Sequence, residues 1–179
     1  PHPDYAEYAG RARSGAVAVS SLSTVEVDGC MRVEMELAPG ARPEEIRRLW
    51  LDIPLKEGEA PLFHSMVDGL RSNYSGATPA GTGVVWDGST ASRGAAWRNL
   101  FVSYAWLGGE ERGIAWFAEN DRDWVTEKGK SKRPLVEVVR EPGRISLRVY
   151  FVNRPATIAG KRRFVFGVQA SPTKPMPAG

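Results

Sequence analysis

Residues 25–37 read VEVDGCMRVEMEL, in which apolar and polar side chains alternate on both sides of Asp28-Gly29. This period of two is typical of β-strands with one buried face. An Asp-Gly pair between two such runs is a strong hairpin signal, because a type I′ turn needs positive φ at both central residues. The segment therefore predicts two antiparallel strands joined by a tight turn, the second ending at Pro39-Gly40.

Short apolar runs separated by turn residues continue along the rest of the chain. We predict further strands at residues 49–55, 62–67, 84–86, 100–107, 114–118, 135–140, 145–152 and 163–169. The 19 glycines and 13 prolines among 179 residues favour many short elements over a helical bundle. Residues 43–46 are compatible with one helical turn. We expect an all-β fold, an antiparallel β-sandwich of the jelly-roll or supersandwich type with about ten strands.

The chain divides by composition into three parts. Residues 1–16 lack a clear period and are expected to lead into the sandwich domain, which spans residues 17–170. Within it, the Gly, Ser, Thr and Pro of residues 69–83 predict a long surface loop. Residues 171–179 contain three prolines and are expected to form an extended linker toward a downstream domain. The chain begins with Pro instead of Met, which favours a domain of a larger protein whose targeting signal lies elsewhere.

Composition argues against several classes of protein. The formal net charge of +3 is too small to suggest nucleic-acid binding. No apolar run approaches the roughly 18 residues of a membrane span. One cysteine and two histidines give no basis for a disulfide, a zinc site or another cofactor. The compartment is left open, and a secreted or periplasmic parent protein is compatible with a single cysteine.

No complete catalytic set is visible in the sequence. There is no Gly-x-Ser-x-Gly nucleophile motif, Cys30 has no histidine near it, and His64 falls within an apolar strand. Gly129-Lys130-Ser131 ends like a phosphate-binding loop, but Trp124 stands where that motif needs its first glycine. We therefore expect no catalytic residue in this chain.

Glu119, Asp121, Asp123 and Glu127 form an acidic cluster after the strand predicted at 114–118. Glycosidases place two carboxyl groups about 5–9.5 Å apart, and Cα atoms two residues apart on an extended chain are separated by about 6.6 Å. A structural acidic loop paired with Arg122 explains the same pattern without a catalytic role. A loose calcium site is a third interpretation, although the cluster does not fit the calcium-loop template.

The six tryptophans are the remaining candidates for binding. Trp106 and Trp116 lie within predicted strands and are expected in the core, whereas Trp86 and Trp124 adjoin loops. Exposed indoles stack on the apolar faces of sugar rings while polar neighbours bind the hydroxyl groups. The candidate carbohydrate-binding residues are Trp86, Asn120, Asp121, Asp123 and Trp124. The basic runs at 128–133 and 161–163 border strands, where such charges commonly protect sheet edges.

Several short motifs occur in a familiar order. They are WLDIPLK (50–56), DGLRSNYSG (68–76), GVVWD (83–87), WLG (106–108), ERGIAWFAEND (111–121) and FGVQASPTKP (166–175). Over residues 17–175 the series resembles the β-domain of bacterial glycoside-hydrolase-domain-containing proteins related to glycoside hydrolase family 123. In that family a β-sandwich precedes a TIM barrel that holds the catalytic carboxylates. A barrel needs roughly 250 residues, so the resemblance assigns no catalytic residue to this chain.

The resemblance implies a non-catalytic β-sandwich domain of a larger glycoside-hydrolase-like protein, which supports a TIM-barrel domain and contributes to carbohydrate binding. The alternative is an autonomous, lectin-like carbohydrate-binding module that uses the same loop tryptophans. A third hypothesis is a stand-alone glycosidase with Asp121 and Asp123 as its carboxylates. The expected partners are carbohydrate and the downstream barrel, without nucleic acid or membrane.

Overall fold

A computed structural model describes residues 4–67, 73–88, 101–127 and 133–173. Within these ranges the chain forms fourteen strands and one 3₁₀ turn at Glu57–Glu59. The strands are β1 (Tyr5–Ser14), β2 (Val17–Glu26), β3 (Cys30–Ala38), β4 (Glu44–Ile46), β5 (Leu49–Lys56), β6 (Leu62–Val67), β7 (Tyr74–Ala77), β8 (Gly83–Asp87), β9 (Val102–Gly108), β10 (Gly113–Phe117), β11 (Val136–Glu141), β12 (Arg144–Val152), β13 (Ala156–Ile158) and β14 (Arg162–Ser171).

The strands form two packed antiparallel sheets and one small pair. The larger sheet has eight strands in the order β1-β2-β3-β14-β10-β9-β6-β7, and the smaller has four in the order β5-β12-β11-β8. Strands β13 and β4 pair with each other. The predicted all-β antiparallel sandwich is confirmed, with fourteen described strands where about ten were expected.

Aromatic side chains join the two sheets. Phe151 of β12 packs against Phe164 and Phe166 of β14, with ring centroids 5.0 and 5.4 Å apart. Phe63 of β6 packs edge-on against Trp86 of β8 at 4.7 Å. All five residues are at most 8% exposed. These inner faces, where every second side chain of each strand points, form the hydrophobic core.

The hairpin predicted around Asp28-Gly29 is present as β2 and β3, but its turn differs from the expected type I′. Gly29 has φ of 89°, while Asp28 is not among the residues with positive φ. The loop contains three residues, because β2 ends at Glu26 and β3 begins at Cys30. Asp28 Oδ1 accepts the backbone N–H of Cys30 at 2.8 Å. A three-residue loop with glycine in the left-handed region explains why Asp-Gly still marks this turn.

Four short or exposed elements differ from the sequence-based expectations. The segment expected to lead into the domain forms β1, and residues 44–46 form β4 instead of a helical turn. Strand β7 lies within the loop expected at 69–83, and β13 was not predicted. Three of these strands have only three or four residues, too few to show a period. Nine of the ten residues in β1 are exposed, so the strand has no apolar face to reveal it.

Some expectations fall outside the described residues. These are residues 69–72 of the expected loop, most of the basic run at 128–133 and most of the linker at 171–179. Among the described residues, no helix has the length and apolar character needed to cross a membrane.

Candidate functional site

A group of polar and aromatic side chains lies on the outer face of the four-stranded sheet. Arg148 of β12 is paired with Asp52 of β5 on one side and with Glu137 of β11 on the other. Tyr150 is paired with Trp50 of β5. Because directly paired residues, and residues two apart along a strand, point to the same face, all five side chains share the side remote from the core. We call this group, together with Ser146, the outer cluster.

Charged hydrogen bonds connect the three strands of the outer cluster. Arg148 donates from Nε to Asp52 Oδ1 at 3.1 Å, and its Nη1 lies 3.7 Å from Glu137 Oε2. Ser146 donates from Oγ to Asp52 Oδ2 at 3.2 Å, and Tyr150 donates its hydroxyl proton to Glu137 Oε2 at 2.7 Å. The network holds the polar atoms in fixed positions, as a binding site requires.

Trp50 provides the exposed apolar surface of the outer cluster. It is 45% exposed on an edge strand, opposite the buried Tyr150. The guanidinium carbon of Arg148 lies 5.4 Å from the centroid of the indole, and the ring of Tyr150 lies 5.9 Å from it. The cation–π contact fixes the orientation of the ring. Tyr150 and Glu137 are only 5% and 9% exposed, so they form the floor of the site.

The protonation states of the outer cluster follow from burial and from its hydrogen bonds. Burial, with the hydrogen bond to Glu137, raises the pKa of Tyr150 to about 12. Burial alone would lower the pKa of Arg148, but hydrogen bonds to Tyr150 and Asp52 raise it. At neutral pH Tyr150 is therefore a neutral donor and Arg148 is a cation.

This chemistry suits non-covalent recognition of a hydroxyl-rich molecule. A carboxylate is an acceptor only, a guanidinium is a donor only, and an indole offers an apolar face. The phenol of Tyr150 keeps its proton and directs it at Glu137, which is the opposite of an activated nucleophile. The geometry thus favours binding over bond cleavage at this face.

Trp86, one of the two tryptophans expected to stack on a sugar, lies on the inner face of β8. It is 8% exposed, and its ring packs against Phe63 at 4.7 Å and Tyr74 at 6.1 Å. The loop position suggested an exposed ring, but Trp86 is paired with the buried Val138 of β11, and this pairing turns its side chain toward the core. In this conformation the indole has no face open to a ligand.

Trp124 also packs against the core, within a different aromatic group. Its ring lies 5.0 Å from that of Phe151, 5.6 Å from Phe101 and 6.1 Å from Trp116. No hydrogen-bond partner of its buried Nε1 is found among the described residues. The described ring contacts of Trp86 and Trp124 share no residue, so the structure does not bring them together as one platform.

The acidic residues of the same segment shape the loop after β10. Asn120 Oδ1 accepts the backbone N–H of Arg122 at 3.0 Å, and the carbonyl of Asp121 accepts that of Trp124 at 3.1 Å. Asp123 has φ of 67°. These local bonds form a tight turn, which accounts for the cluster of short polar residues in the sequence.

Asp123 also ties this loop to β14. Its Oδ2 accepts the backbone N–H of Arg163 at 3.3 Å, and its Oδ1 lies 3.9 Å from Nη1 of Arg162. No group of three metal-ligating side chains occurs in the described ranges, so the calcium interpretation gains no support there. The described contacts give Asp123 a structural role.

Trp106 was expected in the core and lies instead on the outer face of the eight-stranded sheet. Its indole covers Gly108 and Gly113, where an added Cβ would come within 2.7 and 2.6 Å of the ring. Its Nε1 donates to Ser171 Oγ at 3.1 Å. The expected core position is correct for Trp116, which is fully buried.

Sequence reasoning passed over the outer cluster because its members looked like ordinary strand residues. The available signal was the spacing of two pairs: Trp50 and Asp52 in β5, and Arg148 and Tyr150 in β12. Each pair places an aromatic and a charged side chain two residues apart, hence on one face. A strand whose solvent face carries such pairs is a better candidate than a tryptophan beside a loop.

No protein-family model matches this chain, and no curated protein matches it.

Proposed function

We propose that this chain is a non-catalytic β-sandwich domain of a larger glycoside-hydrolase-like protein, and that it binds carbohydrate through the outer cluster. The observation that carries the binding proposal is the exposed indole of Trp50 beside the hydrogen-bonded pair of Asp52 and Arg148. The supporting role toward a TIM barrel rests on the resemblance of the motif series.

A sugar ring presents both kinds of surface that the outer cluster offers. Its C–H groups form an apolar face suited to the indole of Trp50, and its hydroxyls are donors and acceptors at the ring edge. Asp52 takes hydrogen bonds from Arg148 and Ser146 among the described contacts, and a carboxylate has about four acceptor positions. Its side chain is 28% exposed, so hydroxyl groups can reach it.

The distribution of the motifs supports the same face. The motif at 50–56 coincides with β5 and that at 83–87 coincides with β8, and these strands are the two edges of the four-stranded sheet. Asp87, the last residue of the second motif, is paired with Glu137. Both motifs thus contribute side chains to the outer face that carries the outer cluster.

The binding proposal is tested with the isolated chain on a glycan array, followed by calorimetric titration of the best glycan. We expect Trp50→Ala to weaken binding by at least about fivefold, since a stacking aromatic contributes about 1–3 kcal/mol. Val84→Ala is the matched control, because Val84 is 51% exposed on the same face at the opposite edge. Full binding by Trp50→Ala, or an array without any bound glycan, would overturn the proposal.

The proposal that this chain is a domain of a larger protein has a separate test, which is the reading frame that follows Gly179. We expect it to continue for roughly 250 residues with alternating strand and helix patterns, as a barrel requires. A stop codon directly after residue 179, combined with glycan binding by the isolated chain, would favour the autonomous module instead.

A further inference from the structure

One edge of the eight-stranded sheet is formed by β1. This strand pairs with β2 over all ten of its residues, and it ends the sheet order. Nine of its residues are exposed, and Tyr8 is 62% exposed. A long, regular edge of this kind is a template for another strand, and natural proteins usually interrupt or cover it.

The turn between β1 and β2 determines which backbone groups face outward. Ser14 is paired with Val17 across the two-residue turn Gly15-Ala16, with Gly15 at φ of 59°. Two-residue turns of this kind close on a hydrogen-bonded pair, and hydrogen-bonded pairs then alternate along the strands. The even-numbered residues of β1 therefore bond to β2. The odd-numbered residues direct their N–H and C=O groups away from the sheet.

We propose that a second copy of this chain pairs with β1 in antiparallel fashion, with Ala9 on the two-fold axis. In this register Ala9 faces Ala9 of the other copy, and Glu7 faces Arg11 twice. The odd-numbered residues then meet as hydrogen-bonded pairs, so the outward N–H and C=O groups of both strands find partners. The two ion pairs are self-complementary, as an isologous interface requires. No ion pair among the described residues engages Glu7 or Arg11.

The other face of the strand fits the same register. Tyr8 comes opposite Gly10 of the second copy, and Gly10 comes opposite its Tyr8. An added Cβ at Gly10 would lie 2.7 Å from Ser21 Oγ, so this position is kept without a side chain. The absent side chain leaves space for the facing phenol ring, and covering a sheet glycine with an aromatic ring is a favourable cross-strand arrangement. Pairing thereby covers the most exposed aromatic side chain of the edge.

Other registers do not meet both conditions. A shift by one residue sets the odd-numbered residues of one copy, whose N–H and C=O groups point outward, opposite even-numbered residues of the other copy, whose groups are already bonded to β2. The alternation of hydrogen bonds along the strand therefore excludes this register. Pairing centred on Tyr8 sets Glu7 opposite Ala9, which removes the ion pairs. Pairing centred on Gly10 sets Glu7 opposite Arg13 but sets Tyr8 opposite Ala12. The register about Ala9 alone combines two ion pairs with two aromatic–glycine contacts.

Charge exchange tests the proposal without disturbing the fold, because the side chains lie at an exposed edge. Analytical ultracentrifugation of the whole chain at low salt is expected to show a concentration-dependent dimer. Glu7→Arg and Arg11→Glu, each creating two like-charge contacts, should each weaken it at least about tenfold. The double variant should restore the wild-type dissociation constant. Arg13→Glu is the matched control and should leave that constant within about twofold.

Three outcomes would overturn the proposal. These are a wild-type chain that stays monomeric up to millimolar concentration, a double variant that dimerises no more tightly than the single variants, and an Arg13→Glu variant that dimerises as weakly as Arg11→Glu.

A cross-link gives an independent check in a Cys30→Ser background. Cα atoms of a hydrogen-bonded pair lie about 5.5 Å apart, within disulfide range, so Ala9→Cys should form a covalent dimer. Ala6→Cys should not, because its two copies lie about 20 Å apart along the strands.

Discussion

Asn153 accepts the backbone N–H of Glu127 at 2.8 Å through its side-chain oxygen. The same amide donates from Nδ2 to three carbonyls, those of Glu127, Arg133 and Pro134, at 3.1–3.3 Å. Asn153 is only 3% exposed. One buried side chain thus holds the backbone at Glu127 next to the backbone at Arg133 and Pro134.

We predict that Asn153→Ala lowers the free energy of unfolding by about 3 kcal/mol, because four part-buried backbone groups lose the partner that the buried amide provides. The measurement is urea denaturation followed by fluorescence. Asn120→Ala is the control, since that side chain is exposed and should change the value by about 0.5 kcal/mol or less. Equal denaturation midpoints for the two variants would contradict this role.

Gly167 is needed because the ring of Phe117 lies directly over it. An added Cβ at residue 167 would come within 2.2 Å of that ring. We expect Gly167→Ala to destabilise the fold by about 1–3 kcal/mol through overpacking. Thermal or urea unfolding measures it, with Gly160→Ala as control, since a Cβ there meets no atom within 4 Å.

The pair is also coupled, which a double-mutant cycle can show. Phe117→Ala removes the obstructing ring, so Gly167→Ala should cost much less in that background. Strict additivity of the two changes would mean that the clash with Phe117 does not limit residue 167.

The raised pKa of Tyr150 predicts a specific loss of stability at alkaline pH. The pKa rises from 10.0 to about 12 on folding, so the unfolded state releases its proton first. The corresponding stability is fully present below pH 10 and is lost as the pH rises toward about 12. Unfolding free energies should fall more steeply for the wild type than for Tyr150→Phe between these values. Parallel curves would show that Tyr150 titrates alike in both states.

Trp124 and Trp50 should respond differently to truncation. Trp124 packs among Phe101, Trp116 and Phe151, so Trp124→Ala should destabilise the fold by about 3–5 kcal/mol. Trp50→Ala, at an exposed edge, should change stability by about 1 kcal/mol or less. Denaturation curves of both variants measure this, together with glycan titration of the folded fraction. If fully folded Trp124→Ala failed to bind glycan, the result would favour a binding site in the loop after β10 over the outer cluster.

The charge of the outer cluster predicts which glycans the proposed site would prefer. Two carboxylates, Asp52 and Glu137, outnumber the one guanidinium of Arg148. At low salt we expect neutral oligosaccharides to bind at least about tenfold more tightly than matched uronic-acid oligosaccharides, a difference of about 1.4 kcal/mol. Asp52→Asn should narrow that difference, as should added salt. Tighter binding of the acidic series would contradict this charge argument.

Much of the fold follows from local signals in the sequence. Alternation and turn residues predicted the hairpin at Asp28-Gly29 and the long strands β5, β6, β9, β11, β12 and β14, because half-buried strands reveal their period. Strand β1 was not predicted, because it buries neither face and its residues therefore show no apolar alternation. The sequence also could not say that β3 pairs with β14, since such pairing joins residues more than a hundred positions apart.

The binding candidates were harder to predict than the strands. A tryptophan beside a loop turns inward or outward according to its register, and Trp86 and Trp124 both pack against the core. The outer cluster depends on the pairing of β5 with β12, which no local pattern specifies. Residue type suggested the hypothesis of sugar recognition, whereas the position of the proposed site could be argued only from the tertiary structure.

The place of β14 between β3 and β10 has a consequence for synthesis of the protein. The hairpins β2–β3 and β9–β10 can form while the ribosome is still making the chain, but each keeps an unpaired edge toward the missing strand. Only when Ser171 has emerged can β14 join the two halves and bring Phe164 and Phe166 onto Phe151. A nascent chain stalled before that point would expose two unpaired sheet edges, each a template for pairing with another chain.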